Sequence, residues 1–117
     1  MITYSGSCHC GDVSFSFQHE KINSGLRCNC SICRRKGAVM SDFTLSPEKL
    51  NITQRNESLS SYQFNTKVAI HYFCKTCGIY PFHETVRMPG NYRVNLGCVN
   101  ELDANVLKVD IFDGKNL

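Results

Sequence analysis

The sequence predicts an all-β domain of short antiparallel strands with at most one or two short helical turns. Apolar and polar residues alternate over short runs, each bounded by Gly, Asn, Ser or Pro, and helical periodicity is nearly absent. Most of the eight cysteines fall in close pairs or triples, which lets metal staple a core of modest size. At 117 residues the chain has the length of one domain, expected over 1–117 without a linker.

Val13, Phe15 and Phe17 alternate with Ser14, Ser16 and Gln18, the pattern of a half-buried strand. Gly11, directly after Cys10, suits a tight knuckle in which a positive φ costs nothing. His19 to Gly25 is polar and reads as a turn, and Leu26 leads into Cys28-Asn29-Cys30-Ser31-Ile32-Cys33. Ser31 to Lys36 is expected to form a single helical turn that points its basic side chains back over the cysteines. Val39, Met40, Phe43 and Leu45 predict a strand, and Ser46-Pro47-Glu48 predicts a helix start of one turn. Leu50 and Ile52, then Leu59, Tyr62 and Phe64, predict two strands about the polar turn Gln54 to Ser58. After a turn at Asn65-Thr66-Lys67, Val68, Ile70 and Tyr72 alternate with Ala69, His71 and Phe73; apolar groups on both faces predict a central strand. Pro81 confines the run from Ile79 to His83 to an edge or a bulge. Tyr92, Val94 and Leu96 predict the next strand, and Leu107, Val109 and Ile111 the last.

Two of the cysteine clusters, Cys8-His9-Cys10 and Cys74-Lys75-Thr76-Cys77, together make a complete tetrahedral set of thiols. Cys28, Cys30 and Cys33 are one thiol short. Structural zinc takes four protein ligands, whereas zinc that does chemistry keeps three and leaves the fourth position to water or substrate. One closed and one open site are therefore expected, two Zn²⁺ per chain, with the open one partly occupied because three thiolates release metal more easily than four. Two alternatives stand beside this: a second closed site completed by His9, His71, His83 or Cys98, and an iron or iron–sulfur centre on the same thiols. Cys98, in the apolar run Asn95 to Val99, reads as a small buried hydrophobe, and His71, in mid-strand, as a core histidine. Tyr80 and His83 follow the last knuckle closely enough to reach the open site, or else simply pack in their strand. The C-x-C and C-x-x-C spacings, with no basic and then apolar stretch at the N-terminus, favour metal ligands over disulfides and a cytoplasmic location.

The formal charge of +3 invites a nucleic-acid partner, but it counts every cysteine as neutral. Four thiolates about one Zn²⁺ leave −2 and three about another leave −1, so the metallated chain is close to neutral. Three consecutive basic residues, Arg34-Arg35-Lys36, neutralise too few phosphates for a nucleic-acid surface. No apolar run approaches the ~18 residues of a membrane helix. Neither nucleic acid nor membrane is expected as a partner.

The clusters also carry a resemblance. Ser7-Cys8-His9-Cys10-Gly11, Cys28-Asn29-Cys30-Ser31-Ile32-Cys33-Arg34-Arg35, Tyr72-Phe73-Cys74-Lys75-Thr76-Cys77-Gly78 and Tyr92-Arg93-Val94-Asn95-Leu96-Gly97 occur in the order and spacing of the glutathione-dependent formaldehyde-activating enzymes. The chain resembles that family, which includes the centromere protein V type members, over about residues 5 to 113. The resemblance implies a β-tent fold in which Cys8, Cys10, Cys74 and Cys77 hold a structural zinc and Cys28, Cys30 and Cys33 a catalytic one. It implies a small-molecule thiol such as glutathione as partner, and a carbon–sulfur lyase or adduct-forming activity on hemithioacetals such as S-hydroxymethylglutathione.

The open site suits that chemistry on its own terms. Three thiolates already donate charge to the metal, so making a hydroxide is not its obvious task; binding and orienting a further sulfur is. Arg34, Arg35 and Lys36, next to Cys33, are candidates for the carboxylates of the thiol substrate, with Arg27, Arg87 and Arg93 as further candidates against the alternative of ordinary surface charge. A non-enzymatic zinc module for protein interaction is the competing function.

Overall fold

The alternation from Val13 to Phe17 holds in the computed structural model, which describes residues 1–64 and 69–116: Val13, Phe15 and Phe17 are buried and the serines between them half-buried. In chain order the strands are β1 (Ile2–Ser7), β2 (Val13–His19), β3 (Ser24–Cys28), β4 (Asn51–Gln54), β5 (Leu59–Tyr62), β6 (Ile70–Cys74), β7 (Phe82–Glu84), β8 (Tyr92–Val94) and β9 (Lys108–Phe112). One α-helix, α1 (Ser31–Lys36), follows β3, and short 3₁₀ turns include Pro47–Lys49 and Leu96–Cys98. The fold is mostly β, as the alternation and the lack of helical periodicity predict.

The strands form three small sheets. β1, β2 and β4 make an antiparallel sheet with β2 in the middle, and β5 to β8 make an antiparallel meander in chain order. Phe15 of the first meets Phe82 of the second edge to face at 5.9 Å, and Tyr72 and Tyr92 pack on Phe82 from the other side. Offset and edge-on aromatic contacts of this kind each add ~0.5–1.5 kcal/mol beyond burial, and a fully buried residue such as Phe82 or Leu96 contributes ~1.5–3 kcal/mol. β6 is central between β5 and β7, as expected from its two apolar faces. The turn expected at Asn65-Thr66-Lys67 and the strand's expected first residue, Val68, lie outside the described residues.

Three expectations are corrected. β3 pairs with β9 in parallel, Ser24 opposite Lys108 through Cys28 opposite Phe112, so the strands are not all antiparallel. The run Val39 to Leu45 is not a strand: Met40 bridges Leu26 and Asn95, Leu45 bridges Tyr92, and the chain bends between them. The cause is Ser41, fully buried, whose hydroxyl donates to Phe43 O at 2.9 Å and accepts from Val94 N at 3.1 Å. A side chain that takes backbone partners this way offers an alternative to the sheet ladder. Pro81 does not place its strand at an edge, because β7 starts one residue later and lies between β6 and β8.

The topology positions the cysteines. The turn after β1 carries Cys8 and Cys10, and the end of β6 with its following turn carries Cys74 and Cys77. The end of β3 and α1 carry Cys28, Cys30 and Cys33, and the parallel partner β9 brings Phe112 and Gly114 beside them. No helix among the described residues is long and apolar enough to cross a membrane.

Candidate metal centres and the cavity beside them

Cys8 and Cys74 are locked by the backbone before any metal is considered. Cys8 N donates to Val13 O at 2.9 Å and Gly11 N to Cys8 O at 3.3 Å, while Cys74 N donates to Ile79 O at 2.9 Å and Gly78 N to Cys74 O at 2.6 Å. Both knuckles close on a glycine in the left-handed region, Gly11 at φ 84° and Gly78 at φ 80°, where a Cβ would be strained. The result is four sulfurs within 4.8 Å of one another, with Cys8 to Cys10 and Cys10 to Cys74 each at 3.7 Å. A tetrahedron with Zn–S of ~2.3 Å has an edge of about 3.8 Å, so the set fits a four-thiolate metal. Val13 N also donates to Cys8 Sγ at 3.3 Å, the kind of amide contact that steadies a thiolate ligand.

Asp12 ties the two knuckles together. Its carboxylate accepts from Ser58 Oγ at 2.7 Å and from Thr76 Oγ1, inside the second knuckle, at 3.2 Å, with Arg55 at 3.5 Å. These hydrogen bonds, that of Ser58 foremost, hold its carboxyl below the usual carboxylate range. Sequence reasoning passed Asp12 over; its place directly after Gly11 was the only signal.

The second cluster is built locally. Cys28 ends β3, Cys30 caps the N-terminus of α1, and Cys33 lies one turn on, which brings the three sulfurs within 4.8 Å of one another. Cys30 N donates to Cys28 Sγ at 3.5 Å, and Gly37, left-handed at φ 66°, ends the helix by donating its N–H to Cys33 O at 3.0 Å. Among the described residues no fourth ligating side chain joins the cluster: His9 is exposed, His71, His83 and Cys98 are not members, and the Cys98 thiol turns to Tyr80 O at 3.9 Å. Both clusters can hold a metal ion, the first as a closed set and the second with three donors.

The three thiols face a cavity of ≈ 520 Å³. His71 and His83 sit side by side in its wall, opposite one another across β6 and β7 with ring centres 5.6 Å apart. Each has Nδ1 engaged from behind. Lys36 Nζ donates to His71 Nδ1 at 2.8 Å while lying over the Tyr80 ring at 3.6 Å, and the Tyr80 hydroxyl is hydrogen-bonded to His83 Nδ1. Burial lowers Lys36 to about 8, with Cys33, Cys30 and Cys28 pulling the other way, so it stays a cationic donor at neutral pH. Burial also drives Tyr80 well above its ordinary value, so its hydroxyl stays protonated. Both imidazoles are held neutral: burial and then Lys36 push His71 down to about 4, and the same causes, with His71 and Arg93, push His83 lower still. With Nδ1 accepting from Lys36, the single proton of the His71 ring is on Nε2. Among the described residues no hydrogen-bond partner takes either Nε2, and both histidines line the cavity that the three cysteines share.

A family model described as glutathione-dependent formaldehyde-activating enzyme matches residues 3–114. The chain belongs to that family. The crystal structure of a Rhodobacter sphaeroides protein is also similar, at 34% identity and a TM-score of 0.79, covering 91% of this chain and 99% of that one.

In this member of the glutathione-dependent formaldehyde-activating enzyme family the expected basic run divides. Lys36 turns inward onto Tyr80 and His71, whereas Arg34 and Arg35 are exposed and border a separate surface depression with Asn29, Ser31 and Lys115. Arg35 donates to Ser31 O at 2.7 Å and Arg27 to Gly37 O at 3.0 Å, both outside the cavity. The arginines that line the cavity are Arg87, over the Phe112 ring at 4.6 Å, and Arg93, which donates to Ser41 O at 2.9 Å. Gly114 completes the floor: a Cβ there would fall 2.5 Å from Cys28 Sγ.

Proposed function

We propose that the protein makes and cleaves hemithioacetals of glutathione type, as a carbon–sulfur lyase whose site is Cys28, Cys30 and Cys33 with the cavity they face. The observation that carries this reading is the contrast between the clusters: four sulfurs close on one another at tetrahedral spacing, while three share a cavity wall with two histidines. A zinc ion held by the three cysteines would supply a position where a substrate sulfur binds as thiolate. Cys8, Cys10, Cys74 and Cys77 would hold a second, structural ion.

The chain's own groups account for the rest. In cleavage the carbon–sulfur bond breaks with its electron pair going to sulfur, the hydroxyl oxygen forms the carbonyl, and its proton passes to solvent. Formation is the reverse, with negative charge growing on the carbonyl oxygen as sulfur attacks. His71 and His83 donate Nε2–H toward that oxygen, and a neutral imidazole does so without itself losing a proton. Lys36 fixes the His71 tautomer and adds a positive charge beside the sulfurs. Arg87 and Arg93 can pair with a carboxylate of the thiol substrate.

Exchange NMR on glutathione with formaldehyde tests the proposal. Protein carrying two zinc ions is expected to accelerate interconversion of free and hydroxymethylated thiol, and Cys30→Ala to abolish the acceleration while one zinc stays bound. No acceleration by the doubly loaded protein would overturn the lyase reading and favour a zinc module for protein interaction.

A further inference from the structure

We infer that the carbonyl partner is an aldehyde with an apolar chain of several carbons, for which formaldehyde is the smallest and poorest representative. The inference rests on the lyase reading and deepens it by assigning the unused part of the cavity. In a hemithioacetal the reacting carbon carries sulfur, hydroxyl, hydrogen and the substituent of the aldehyde. The three cysteines take the sulfur side and the Nε2–H groups of His71 and His83 take the oxygen, so the substituent is directed into the remaining wall. Beside Thr85 and the two arginines, Arg87 and Arg93, the described residues of that wall are apolar, chiefly Leu26, Ile32, Met40, Phe64, Val86 and Phe112.

Size and charge agree. A cavity of ≈ 520 Å³ lies within the ~300–1,000 Å³ of small-molecule sites, whereas formaldehyde brings a single carbon to the adduct. Among the described residues no Asp or Glu lines the cavity, and beside the cysteines its charged side chains are Arg87 and Arg93. An ammonium group such as that of glutathione would meet no carboxylate there, only sulfurs already committed to a metal, and would lose its hydration, at a cost. The charged part of the thiol therefore stays at the mouth, with a carboxylate on an arginine, and the apolar surface is left for the aldehyde chain. The bond changes are those of the parent reaction: the carbon–sulfur pair returns to sulfur, the hydroxyl proton leaves to solvent, and the longer aldehyde departs. No oxidant or reductant is involved.

The test compares the glutathione adducts of formaldehyde, butanal and hexanal on the doubly zinc-loaded protein, each rate divided by the uncatalysed rate of the same adduct. The acceleration in kcat/KM is expected to rise with chain length, by about fourfold for each methylene that becomes buried, and at least tenfold from formaldehyde to hexanal. Val86→Asp, at a half-exposed position that folding tolerates, is expected to shrink the hexanal-to-formaldehyde ratio at least fivefold. Acceleration that is flat or falls with chain length would overturn the inference and leave the lyase reading standing. Failure to cleave any of the three adducts would overturn both, and an unchanged ratio in Val86→Asp would remove the assigned wall.

Discussion

His83 shows how one side chain is prepared by its neighbours. Tyr80 occupies Nδ1, and burial keeps the ring uncharged, so only Nε2 is left to act on a cavity occupant, as the donor in the proposed function. His83→Phe keeps the ring volume and removes the donor; kcat in the thiol-adduct assay is expected to fall about 10²-fold with KM nearly unchanged, the usual cost of losing one donor to a developing oxyanion. An equal rise in KM instead would make His83 a binding group. His71 makes a stability prediction with a definite sign. Its folded value of about 4 lies below the ordinary 6.5, so the unfolded chain binds a proton that the folded chain refuses, and stability is lost as pH falls from about 6.5 toward 4. The stability difference between pH 7 and pH 4.5, measured by urea unfolding, is expected to be smaller in His71→Gln than in the parent. The sequence analysis brought His83 within reach of the site and read His71 as a core histidine; the role of neither was legible, because the roles depend on Lys36 and Tyr80. Lys36 was grouped with Arg34 and Arg35; successive helical residues are ~100° apart around the axis, so three in a row do not face one site.

At the scale of elements, what was legible followed from local pattern. The alternation at Val13 to Phe17, the one-turn start at Ser46-Pro47-Glu48 and the turn about Gln54 to Ser58 all appear where short-range chemistry places them. The parallel pairing of β3 with β9 was not legible, since it joins residues far apart in sequence and neither strand specifies its partner. That pairing is what brings Gly114 under the three-cysteine cluster. Gly114→Ala would set a Cβ 2.5 Å from Cys28 Sγ, against a sulfur held at a strand end. The variant is expected to lose the more weakly held metal while keeping the other and its secondary structure, read by metal analysis with circular dichroism. Retention of both metals would show that the β9 end yields freely.

Across the whole molecule the two clusters have different reach. The four-cysteine set joins the β1–β2 hairpin to the meander through β6, with Asp12 bridging the knuckles, so it closes a long loop. The three-cysteine set spans six residues of chain. Cys74→Ala is therefore expected to unfold the protein or lower its melting temperature by more than 10 °C, whereas Cys30→Ala shifts it by only a few degrees. The reverse order of damage in thermal melts would exchange the proposed roles. The cysteine spacings alone made this division visible; the cavity did not appear in the sequence, because its walls are drawn from segments scattered between Leu26 and Gly114.

X-ray absorption at the zinc edge tests the central claim, an open three-sulfur site, most directly. For protein loaded with two zinc ions, the mean sulfur coordination is expected to be about 3.5 per zinc and to rise to about 4 on adding glutathione. A value of 4 without added thiol, or one that glutathione leaves unchanged, would contradict it.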